Sequence, residues 1–154
     1  GNWEPAAFGA AIGLLLVVAC GGDTGPSQTQ NGSMSAKIDN DNWSANVAIA
    51  ATFSNGIVAI AGTDGQGRTI GFGAAATGPG TFTVAPTSPT NASVQIGSQG
   101  WFSSVAGGSG TLIFTTLTAT EAKGSFQFTL VPVAGTGATG NKSVTQGLFD
   151  VKFP

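Results

Sequence analysis

The rhythm of apolar and polar positions changes once along this chain. From Ala6 to Cys20 the residues AAFGAAIGLLLVVAC run without a charge, and from Met34 onward apolar residues alternate with polar ones. Val47, Ile49, Ala51 and Phe53 recur at period two, as do Phe82 with Val84 and Val94 with Ile96. Leu112 with Phe114, then Phe126, Phe128 and Leu130, then Phe149, Val151 and Phe153 continue the pattern. Successive side chains of a strand point to opposite faces, so this alternation predicts strands with one buried face and one solvated face. Asn40-Asp41-Asn42, Asn55-Gly56, Asp64-Gly65, Gly78-Pro79-Gly80 and the Gly107–Gly110 run supply residues that suit turns between them. Roughly nine short strands follow, the pattern of an all-β, antiparallel β-sandwich or partly open barrel. Thr118–Lys123 is the one stretch that suggests a helical turn, and Pro132–Asn141 reads as a surface loop. The chain divides into an apolar segment at 1–20, a linker at 21–33 and a β-domain at 34–154.

The apolar run sets where the β-domain works. A helix over Ala6–Cys20 spans about 22 Å, short of the roughly 30 Å of a bilayer core. That length suits the apolar region of a signal peptide. Val17-Val18-Ala19-Cys20 resembles a bacterial lipobox, which implies lipid attachment at Cys20. The following GGDTGPSQTQNGS resembles the flexible tether of such proteins. Against this, Gly1–Pro5 carries Glu4 and no Lys or Arg. A second reading keeps the segment as an uncleaved anchor helix, with Pro5 in its first turn, Trp3 at the interface and Gly21-Gly22 at its end. A buried core helix is the third. The first two tether the chain to a membrane through residues 6–20 or a lipid on Cys20, with the β-domain on the extracytoplasmic side, in the periplasm or at the cell surface.

The order MSAKIDNDNWSAN, FSNGIVAIAGTDGQGRTIGF, GPGTFTV, GSGTLIFTTLTATEAKGSFQFTL and VTQGLFDVKF is similar to that of a family of uncharacterised bacterial surface lipoproteins. The resemblance implies one β-sandwich domain behind a lipobox and transfers no catalytic residue. The chain also looks similar to the membrane-extrinsic polypeptides that hold a photosynthetic reaction centre inside its antenna ring in some phototrophic bacteria. That likeness implies a membrane protein complex as partner.

Composition narrows the chemistry. Charged residues are 8% of the chain, against roughly a quarter in soluble globular proteins. Lys37, Arg68, Lys123, Lys142 and Lys152 are scattered, so no basic patch for nucleic acid forms. The sequence has no histidine, no tyrosine and one cysteine, Cys20. Catalytic Ser-His-Asp or Cys-His groupings are therefore absent, as are the usual zinc and copper ligands. A carboxylate pair remains conceivable among Asp39, Asp41, Asp64, Glu121 and Asp150. Asp39-Asn40-Asp41-Asn42 has oxygen ligands at alternate positions but lacks the glycine and distal glutamate of a calcium loop, and a β-turn accounts for it better. Asp64-Gly65-Gln66-Gly67 reads the same way.

The remaining candidates for contact are aromatic. Trp43 continues the inward phase of Ala45 and Val47, whereas Trp101 and Phe102 could lie in the core or meet a partner. The expectation is a non-enzymatic, membrane-tethered accessory subunit that needs no cofactor or metal and braces a larger complex. The alternative is a surface module that binds carbohydrate or another small ligand.

Overall fold

The computed structural model describes residues 32–154. The anchor segment at 1–20, its Cys20 and all but the last two residues of the linker lie outside the described residues. Those described form eleven strands and no helix: β1 (Gly32–Ile38), β2 (Asp41–Ser44), β3 (Ala48–Ser54), β4 (Ile57–Thr63), β5 (Arg68–Ala75), β6 (Gly80–Val84), β7 (Asn91–Ile96), β8 (Gln99–Phe102), β9 (Ser109–Leu117), β10 (Glu121–Pro132) and β11 (Lys142–Lys152). Among them no helix is long and apolar enough to cross a membrane.

All pairings are antiparallel. One half of the sheet runs β2-β1-β11-β10-β9-β6, and the other runs β3-β4-β5-β7-β8. β10 joins them because it is twelve residues long. Its first part lies between β11 and β9, and its last two residues, Val131 and Pro132, pair with Phe102 and Trp101 of β8. The halves pack face to face through aromatic rings. Phe72 of β5 lies 5.0 Å from Phe126 and 6.1 Å from Phe128 of β10, and 5.2 Å from Phe149 of β11, centroid to centroid. The all-β, antiparallel, sandwich-like arrangement follows from the alternation: Phe126, Phe128, Leu130, Phe149 and Val151 are all buried, while Gln127 and Asp150 face out.

Local chemistry sets the connections. Asn55 and Gly56 have φ of 52° and 74° and join Ser54 to Ile57, the paired positive φ values that match a two-residue loop to strand twist. Asp39 and Asn40 do the same between Ile38 and Asp41, with φ of 50° and 73°. The turn therefore sits one residue earlier than the Asn40-Asp41-Asn42 expectation, and Asp41 and Asn42 open β2. That added strand is one reason the count is eleven and not nine.

Two other expectations are corrected. Thr118–Lys123 makes no helical turn: the Thr118 hydroxyl accepts the N–H groups of Thr120 and Glu121, and Thr118 N–H donates to Glu121 C=O. These bonds close a β-hairpin instead, and Glu121 already belongs to β10. Val47 does not continue the inward phase of Trp43 and Ala45 but is 54% exposed. It lies in the irregular link between β2 and β3, where the chain passes from one half of the sheet to the other and the period-two rule lapses.

Candidate functional site

Between Asn42 and Glu121 the charged residues are Asp64 and Arg68 alone, and they neutralise each other. Asp64 is 5% exposed at the β4–β5 connection. Its carboxylate accepts the N–H groups of Gln66 and Arg68 at 2.9 Å and Arg68 Nε–H at 2.7 Å. Burial opposes the charge of Asp64, but these donors and the guanidinium outweigh it and hold the carboxyl below its ordinary pKa. Arg68 also donates to the Asn42 carbonyl at 3.0 Å, while the Trp43 indole N–H donates to the Arg68 carbonyl at 2.9 Å. These bonds close the loop and fasten it to β2.

The other carboxylates are dispersed. Burial opposes ionisation of Asp39, but the Ser143 N–H and the Lys142 ammonium together outweigh it and lower its pKa. Glu121 is lowered by its hydrogen bond to Lys152, whose own pKa is raised in return. Asp41 opens β2, and Asp150 faces out from β11. Among the described residues no three or more His, Cys, Asp or Glu side chains gather where they could hold a metal ion. The alternate oxygens of Asp39-Asn40-Asp41-Asn42 do not converge, because Asp39 turns to Lys142 and Ser143.

The aromatic pair splits. Trp101 is 3% exposed, donates its indole N–H to the Gly140 carbonyl at 2.7 Å, and carries Lys142 Nζ 4.7 Å from its ring centroid. It pins the loop after β10 to β8. Phe102, the next residue along a strand, points the other way and is 37% exposed. A partner therefore reaches Phe102 and not the Trp101 ring.

Phe102 borders a face that its own position does not reveal. The cross-strand register aligns Ala50 of β3, Ala61 of β4, Gly71 of β5, Ser93 of β7 and Phe102 of β8 in one row. The row beside it is Thr52, Ala59, Gly73 and Asn91. None of these residues is buried. The outer face of β3-β4-β5-β7-β8 is thus low in relief and uncharged, with Ile57, 54% exposed, at one end. All other charges of the described residues lie on β1, β2, β10, β11 or the turn between β1 and β2. Sequence reasoning passed over this face; the signal was the near absence of charge between Asn42 and Glu121.

The opposite outer face holds two shallow depressions on either side of Gln127. One, of about 350 Å³, is lined by Thr111, Ile113, Ser125, Gln127, Gln146 and Leu148, with Phe126 and Gly147 at its floor. The second, of about 260 Å³, runs along Ser109, Gly110, Thr129 and Ser143–Thr145. A bulge opens them. Gln146 has φ of 53°, and the pairing of β10 with β11 skips between Phe126 and Phe128. Neither depression has a titratable side chain, so their hydroxyls have no neighbouring base to activate them.

Compared with known proteins, the chain matches no curated protein and no solved structure. One family model does match, described as a domain of unknown function, DUF6252, over residues 30–151. That span takes in all eleven strands except the last residue of β11, and the chain belongs to the DUF6252 family.

Proposed function

We infer that this domain works by contact, as a non-enzymatic accessory module held on the extracytoplasmic side of a membrane, docking on a larger membrane protein complex. The observation that carries the reading is the segregation of charge. One broad outer face is free of it and built mostly from Ala, Gly, Ser and Thr, while the charges gather on the other half of the sheet. Docking such a face desolvates no ion, and its small side chains lose little rotamer freedom. The apolar run Ala6–Cys20 supports the tether, either as a retained helix or through a lipid on Cys20. The finer reading, an extrinsic subunit of a photosynthetic reaction centre and its antenna, rests on sequence likeness alone. The test is a mild-detergent pulldown of native membranes with wild type and Ala59→Lys, which places a charge at an exposed point of the face. Wild type should retain a stoichiometric membrane protein and the variant should lose it. Equal capture by both would remove the face from the interface, and capture of nothing would overturn the reading.

A second reading rests on the depression beside Gln127, where two amides and two hydroxyls meet Ile113 and Leu148. Such a surface suits a neutral, hydroxyl-bearing ligand such as a carbohydrate, although the Trp101 ring supplies no stacking platform. Glycan-array binding that Gln127→Ala and Gln146→Ala abolish would favour it over docking.

A further inference from the structure

Among the described residues the sheet has three edge strands, and two of them are blunted. A strand edge presents unpaired N–H and C=O groups that pair with any extended chain, and proteins blunt such edges with charge, proline, bulges or covering groups. At β2 the Arg68 guanidinium bonds the Asn42 carbonyl, the Trp43 indole bonds back to Arg68, and the strand is four residues long and begins with Asp41. At β6 the Ser88 hydroxyl donates to the Thr83 carbonyl at 2.7 Å, and Pro79 and Pro86 flank the strand. β3 has none of these devices. Its seven residues, AIAATFS, include no charge and no proline. They pair with β4 from Ala48↔Thr63 to Ser54↔Ile57 without a shift of register. Among the described residues nothing hydrogen-bonds to its other side.

We propose that the free edge of β3 pairs with the same edge of a second copy of this chain, so that two sheets become one across a two-fold axis. The edge is complementary to itself. Antiparallel pairing about Ala51 sets Ala50 opposite Thr52 of the second copy, Ala48 opposite Ser54 and Ile49 opposite Phe53, so uncharged residues meet throughout, small ones on the outer face and apolar ones on the inner. The adjoining row of Ala59 and Ala61 brings no like charges together. Half-buried Phe53 and Phe153, whose rings lie 5.6 Å apart beside this edge, gain cover from the pairing. A two-fold pairing uses both edges at once, so assembly stops at the dimer. This holds whatever docks on the outer face.

The test measures the mass of the full chain in mild detergent by sedimentation, from about 1 to 100 µM, a range that brackets a small interface. Wild type should pass from monomer to dimer across it. Two double variants read the register. In A50K/T52K like charges face each other across the axis, and the dimer should weaken at least tenfold. In A50K/T52E opposite charges face each other, and the dimer should persist. Both substitutions lie on exposed positions, and unchanged thermal unfolding in the two variants confirms an intact fold. A wild type that stays monomeric throughout overturns the proposal. So does a dimer that both variants leave equally intact or equally disrupt, because it is then held elsewhere.

Discussion

Trp101 and Phe102 are neighbours with opposite fates, because successive strand residues face opposite sides of the sheet. Truncating Trp101 to Ala should cost about 3–5 kcal/mol in chemical denaturation, the range for a buried aromatic. Trp101→Phe keeps most of the packing and loses the bond to exposed Gly140, a loss of about 0.5–1.5 kcal/mol. Phe102→Ala should leave stability within about 1 kcal/mol, yet weaken partner capture if the uncharged face is the interface. Asp64 carries a pH signature. Its carboxyl is held below the unfolded value of about 3.9. The unfolded chain therefore takes up the proton first as pH falls. The contribution of Asp64 is fully present above that value and is lost as pH drops through its lower folded pKa. Asp64→Asn should remove this component, so its stability should depend less on pH in the acid range than that of wild type. An identical acid limb in both would show that the ion pair adds nothing.

At the scale of the strand, β10 is the most demanding element, since it serves both halves of the sheet. Phe128→Ala should cost about 3–5 kcal/mol, whereas outward Gln127→Ala should stay within about 0.5 kcal/mol. Comparable losses would mean that the strand phase is misread. Turns make a second test. Gly56 holds φ of 74°, which a β-branched residue adopts poorly, so Gly56→Val should cost about 1–2 kcal/mol in thermal unfolding. Gly62 differs, because its constraint is packing: a Cβ there would come within 2.6 Å of the Ala45 Cβ and 2.9 Å of the Met34 sulfur. Gly62→Ala should destabilise by about 1–3 kcal/mol through overpacking. The first glycine was legible in Asn55-Gly56; the second was not, because its neighbours come from β1 and the link after β2.

Across the whole molecule, the absence of histidine leaves no ordinary side chain to titrate between about pH 6 and 8. Stability and partner capture should both be flat over that interval. Binding through an uncharged face should also depend weakly on salt. A steep salt dependence would move the interface to the charged half of the sheet. The sequence alone determined the strand-rich, antiparallel character, the burial of Phe126, Phe128 and Leu130, and the turn at Asn55-Gly56. Period and turn chemistry are local, and a few adjacent residues suffice to express them. Tertiary structure decided the rest: that Trp101 faces in, that Asp39 turns to Lys142, that Val47 is exposed, and that among the described residues β3 alone of the three edges lies open. It also brought Ala50, Ala61, Gly71, Ser93 and Phe102 into one row, though 52 positions separate the first from the last. Register between strands distant in sequence makes such a row, and no alternation within a single strand encodes it.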